Sequence, residues 1–152
     1  MLNGFSAVRL VGAIIALCLG LQVAVAADRG TPDEAKAMAE RAAGYLKSNG
    51  PDQSFAAFND PAGGFRDRDL YVYVLRQDNT LVAHPNENLV GRPLPNMRDV
   101  TGKLLNSEIM AVGTEGWIEY RWQHPQTKAV EPKVAYVVKV GEHWVVVGAY
   151  KD

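Results

Sequence analysis

The chain has 152 residues, 47% of them hydrophobic, with 16 basic against 17 acidic side chains and a net charge of −1. That balance lacks the basic surplus that holds a protein on nucleic acid or on an anionic membrane. With one cysteine, Cys18, the chain can form no internal disulfide, and its length suits a single domain with its own core.

The chain opens on an export signal. Arg9 stands in a short polar start, an apolar run follows from Leu10 to Leu21, and Ala24-Val25-Ala26 forms a small-residue cleavage site. Residues 1–26 are therefore expected to be a removed signal peptide, leaving one periplasmic domain over 27–152. An uncleaved anchor is the alternative, because Leu10 to Ala26 approaches the roughly 20 residues that span a bilayer; Gln22 and the small residues after it favour removal. Ile15-Ala16-Leu17 offers no small residue just before Cys18, which disfavours a lipoprotein. Cleavage removes the one cysteine and one charge, Arg9, so the remainder has no thiol chemistry and 15 basic against 17 acidic residues.

Thr31-Pro32-Asp33-Glu34 is a helix start with a capping-box pattern and Pro at the first position. Ala35, Met38, Ala39, Ala42 and Leu46 form one stripe, and the helix is expected to run to about Ser48 and stop at Asn49-Gly50. A stripe made mostly of alanine allows close approach to a sheet. A shorter helix from Asp52 carries Phe55 and Phe58 on one side, until Asp60-Pro61 and Gly63-Gly64 break it. Strand texture begins at Leu70 to Leu75, turns at Gln77-Asp78-Asn79-Thr80 and returns over Leu81 to His84. Residues 85–103, rich in proline, read as a long ordered loop, and connections of that length are often functional. A short helix from about Lys103 to Val112 and three strands, Gly116 to Gln123, Pro132 to Val140 and His143 to Tyr150, complete an α+β domain. Its natural form is a five-stranded antiparallel sheet with the long helix on one face and the loop and helix as a cover on the other.

Ile118, Tyr120 and Trp122 alternate with Glu119, Arg121 and Gln123, so one face of that strand meets protein. Strand aromatics are more often core than ligand contacts, but a buried phenol or indole N–H needs a partner, and a bound carboxylate would serve. Lys133 opens the next strand; a strand-end lysine is usually solvated, whereas one turned under the cover needs an anion. Tyr136, three residues on, points to the opposite face of a regular strand, so both can line one pocket only through a bulge or a lysine that reaches over the sheet edge. His84-Pro85 closes the second strand, where function is often displayed. Asp99-Val100-Thr101-Gly102 reads first as a turn with Asp99 bonding loop amides. Arg92 and Arg98 could approach an anion, although most loop arginines solvate. His84, His124 and His143 have no metal-ligand spacing, and no nucleophile elbow, phosphate loop or dinucleotide fingerprint is present, so no catalytic set, metal or cofactor is expected.

These segments together resemble a known family. Tyr71-Val72-Tyr73-Val74, Leu81-Val82-Ala83-His84-Pro85, Leu89-Val90-Gly91, Asp99-Val100-Thr101-Gly102, Gly116-Trp117-Ile118-Glu119-Tyr120-Arg121-Trp122, Pro132-Lys133-Val134-Ala135-Tyr136 and Val147-Gly148-Ala149-Tyr150 resemble, in order, the single Cache domain, type 2. The resemblance implies a PAS-like extracellular sensor fold with a small ligand held beneath loops on the face away from the long helix. It also implies short carboxylates as ligands and chemoreceptors or histidine kinases as relatives. Carried over by motif, it places His84, Asp99, Tyr120, Trp122, Lys133 and Tyr136 at the ligand; with Tyr73 and Arg92 these are the expected ligand-binding residues, the carboxylate lying near Lys133, Tyr120 or His84. Two departures stand out: Asn79-Thr80 replaces an Asp-x-x-Gly type of turn, and no transmembrane or signalling segment follows Tyr150, so output is expected to need a membrane receptor, kinase or transporter partner. The leading expectation is a periplasmic binding module for a short organic acid. The alternative is an accessory interaction protein that has kept the fold and lost the ligand, with a collapsed cover, a solvated Lys133 and an apolar plug among Tyr120, Trp122 and Tyr136.

Overall fold

The computed structural model describes residues 28–151, so the expected leader and Cys18 lie outside the described residues. Helix α1 (Pro32–Asn49) begins as its sequence dictates. Thr31 Oγ1 accepts from the Glu34 amide, the Glu34 carboxylate accepts from the Thr31 amide, and Pro32 takes the first turn. Gly50, at φ 77°, ends α1 and lets α2 (Pro51–Asn59) start at once.

The strands are β1 (Arg66–Asp67), β2 (Leu70–Arg76), β3 (Thr80–Ala83), β4 (Arg92–Pro93), β5 (Glu115–Gln123), β6 (Val130–Val140) and β7 (His143–Tyr150), with α3 (Leu105–Ala111) before β5. They form one antiparallel sheet in the order β4-β3-β2-β7-β6-β5, with β1 paired to the start of β2. Five strands are those expected from the sequence; β1 and β4 are additional two-residue pieces. Neither is long enough for an alternating pattern to show, and both exist because their partners offer free edges. Asn79, at φ 66°, makes the β2–β3 turn, with Asp78 Oδ1 accepting from the Thr80 amide. Asparagine tolerates that left-handed conformation, so the unusual turn sequence keeps the hairpin.

Strand β7 is buried along its whole length because both sheet faces are covered. Ala35, Met38, Ala39, Ala42, Ala43 and Leu46 of α1 pack on Val72, Val74, Tyr136, Val138, Val145 and Val147. Burying Leu46 or Met38 stabilises by roughly 1.5–3 kcal/mol each. The other face presents Tyr73, Leu75, Tyr120, Ala135, Val137, Trp144 and Val146 to Leu105 and Ile109 of α3, with Leu89, Leu94 and Met97 of the cover loop packed alongside. A 3-10 turn at Glu87–Leu89 and the β4 pairing give the 85–103 loop its order. Among the described residues no helix is long and apolar enough to cross a membrane.

Candidate functional site

Between the sheet and its cover lies a cavity of about 230 Å³. Its sheet side carries Tyr71 and Tyr73 of β2, His84 at the end of β3, and Tyr120 and Trp122 of β5; Leu89, Leu94, Met97 and Leu105 close it from the cover. Strand alternation explains the sheet side, since Tyr71 and Tyr73, and Tyr120 and Trp122, are two apart and share a face. The polar groups lie together: the His84 ring is 5.6 Å from Tyr71 and 6.1 Å from Tyr73 between centroids, and the hydroxyls of Tyr73 and Tyr120 are 3.4 Å apart.

Protonation makes this cluster a set of donors. Burial raises Tyr71 to about 12 and pushes Tyr73 and Tyr120 higher, so all three keep their hydroxyl protons. His84 Nδ1 accepts from the Asn86 amide at 2.9 Å, which leaves the ring proton on Nε2. Burial, with the positive charges of Lys133 and Arg66, pushes His84 down to about 4, so it is a neutral donor at pH 7.

Lys133 stands just behind this wall and is 1% exposed. Its strand, β6, is two strands from Tyr71, and β7 lies between them. The side chain crosses β7 at Gly148, where a Cβ would come within 2.5 Å of Lys133 Cε. A side chain at that position would have to displace the lysine, so this crossing depends on the glycine's missing Cβ and not on its φ. Having crossed, Nζ donates to the Tyr71 hydroxyl at 3.1 Å and lies 4.4 Å from the ring centroids of both Tyr71 and Tyr150. No carboxylate of the described residues lies within ion-pair distance of it. Burial pushes the ammonium from its ordinary 10.5 down to about 7, against the pull of the more distant Asp69 charge.

Below the lysine a buried network holds the sheet's end together. His124 Nδ1 accepts from the amides of Gln126 and Thr127, so Nε2–H donates to Asp69 Oδ2 at 3.3 Å. Asp69 Oδ1 accepts from the Gly30 amide at 2.6 Å, and the Tyr150 hydroxyl donates to Gln123 O. Asp69 is thereby satisfied by neighbours other than Lys133, which keeps an ammonium with one hydrogen-bond partner for its three protons.

The structure brings Tyr73, His84, Tyr120 and Trp122 around the cavity and Lys133 behind its wall, against the Tyr71 hydroxyl; three other expected residues lie elsewhere. Tyr136 is on the α1 face, 4.9 Å from the Trp117 ring and under Lys36, because β6 pairs with β7 without a bulge from Lys133 to Val140. The strand-parity objection decides its place, and Lys133 reaches the cluster across Gly148 with no need of a bulge. Arg92 is exposed on β4, at the sheet's outer edge. Asp99 is a latch: Oδ1 accepts from the amides of Thr101 and Lys103 and from the Thr101 hydroxyl, and Oδ2 accepts from the Arg121 amide of β5. Burial works against ionisation there, yet these bonds hold the carboxyl down to about 2. Tyr71 was missed although its spacing from Tyr73 placed it on the same face. Asp69 and His124 are 55 residues apart and carry no local signal of their pairing. Among the described residues no cluster of three or more His, Cys, Asp or Glu is placed to hold a metal.

Several known proteins share this architecture. A periplasmic sensor domain of a chemotaxis protein superposes with a TM-score of 0.60 at 26% identity, over 79% of this chain and 90% of its own. A methyl-accepting chemotaxis protein from Vibrio parahaemolyticus gives 0.66 at 18% identity, over 79% and 88%. A Cache chemosensory domain whose structure is described as the basis for carboxylic acid recognition gives 0.59 at 19%, over the same shares. The sensor histidine kinase MctS of Rhizobium johnstonii is 30% identical over 90 residues, 56% of this chain but 20% of that kinase, so the chain spans about a fifth of this curated relative. The model of the family described as Single Cache domain 2 matches residues 10–152, and with the sheet, helix and covered cavity in place, the chain belongs to that family.

Proposed function

We propose that this protein is a periplasmic sensor module that binds a small organic carboxylate in the aromatic cavity and does no chemistry on it. The observation that carries the reading is Lys133: a buried ammonium without a carboxylate partner, beside hydroxyl and imidazole donors grouped at one end of a cavity. A carboxylate entering there supplies the counter-charge that the fold withholds, and Tyr71, Tyr73 or Tyr120 and His84 Nε2–H can complete its hydrogen bonds. The carboxylic acid recognition of a structural relative supports the same class of ligand. Chemoreceptor and kinase relatives support a membrane-bound receptor, kinase or transporter as the recipient of the signal. Residues 1–26 act in this reading as a cleaved leader, and amino-terminal sequencing of the exported protein checks that boundary.

Thermal-shift titration with acids and their uncharged amides tests the ligand class. Acids should raise the melting temperature in a saturable way, and the amides should not. Equal shifts from acid and amide, or no shift from any acid, would sink the carboxylate assignment.

A further inference from the structure

We infer that, within the carboxylate reading just given, the cavity selects a monocarboxylate with a medium-length apolar tail, either a straight chain or a phenyl group, over the shortest acids and over dicarboxylates. Volume is the first ground. At the roughly 30 Å³ that a water takes in the liquid, 230 Å³ has room for about eight non-hydrogen atoms, and closer packing admits a few more. Acetate or propionate would fill only about half of that space and would leave the cover with few contacts.

The second ground is how polarity is divided. The hydroxyls and the imidazole come from the sheet side, from Tyr71, Tyr73, Tyr120 and His84, and Lys133 stands behind them. Opposite them the cover offers Leu89, Leu94, Met97 and Leu105, which provide hydrocarbon and one thioether and no charged or donating side chain. A carboxylate head on the sheet side therefore carries its tail under the cover. A second carboxylate at the far end would be desolvated with no partner among these side chains. Met97, on the proline-rich loop, can adjust to tails of different shape, which is why a phenyl ring and a flexible chain belong to one class here.

Calorimetric titration with the straight-chain acids from acetate to decanoate, with phenylacetate, and with succinate and adipate tests this. Affinity should rise about two- to fourfold per methylene, peak near hexanoate to octanoate and then fall, with phenylacetate near the peak and the dicarboxylates at least tenfold weaker than monoacids of equal length. Leu105→Phe, and separately the less buried Leu94→Phe, should move the optimum to shorter chains. An optimum at acetate or propionate in the wild type, or adipate equal to hexanoate, overturns the tail assignment and leaves the carboxylate reading standing. Failure of every monocarboxylate to bind overturns the carboxylate reading itself.

Discussion

The properties of Lys133 follow from one neighbour, Gly148, whose missing side chain is the gap through which the lysine crosses β7. Gly148→Ala puts a methyl group in that gap. It should weaken acid binding about 10- to 100-fold, the worth of one charge-assisted hydrogen bond, while leaving strand β7 formed; isothermal titration with circular dichroism as a fold check measures both. Protonation gives a second handle. Free Lys133 loses its proton near pH 7, and a bound anion favours the charged form, so binding above that pH takes up a proton. Affinity should fall with pH above 7, approaching tenfold per unit. Calorimetry at pH 8 in buffers of different ionisation enthalpy should show uptake approaching one proton, and buffer-independent heats would contradict this. Stability runs the other way: the unfolded lysine keeps its proton up to about 10.5, so the unfolded state binds more protons between pH 7 and pH 9. The ligand-free protein therefore gains stability from this group as pH rises through that window.

Where an element displays a strong period or a cap, its place was legible: the alanine stripe of α1, its capping box and the uninterrupted apolar run of β7 all settle into the expected elements. The same alternation put Tyr120 and Trp122 on the covered face and foretold that Lys133 and Tyr136 would part. What could not be read depends on partners remote in sequence. Strands β1 and β4 are defined by the strands they pair with, Leu89, Leu94 and Met97 sit in a loop with no period, and nothing local marks Gly148 as a passage for a side chain from β6. Asp99 shows how one residue type serves two roles: an acid in a loop near a binding face reads as a contact, yet its bonds tie the loop to β5. Asp99→Ala should lower stability by about 1–3 kcal/mol in denaturant unfolding, with the stoichiometry of acid binding unchanged. Wild-type global stability together with a cover as well ordered as in the wild type would refute the latch.

At the scale of the molecule, the sheet divides the labour. One face is closed against α1 by alanine and valine, and the other keeps a cavity of about 230 Å³ with a buried lysine behind its Tyr71 wall. Neither the cavity nor the desolvated ammonium helps the ligand-free fold, as the proposed carboxylate site requires. The division also predicts that Tyr136→Phe, on the α1 face, leaves acid binding unaltered. The role of Lys133 is decided by comparing the purified wild-type protein with Lys133→Met at pH 7, by calorimetric titration with hexanoate and by the melting temperature without ligand. The variant should lose detectable hexanoate binding and melt at a higher temperature than the wild type, since thioether and methyl replace an unpaired buried charge. A variant that binds hexanoate as tightly as the wild type would contradict it, whatever its melting temperature.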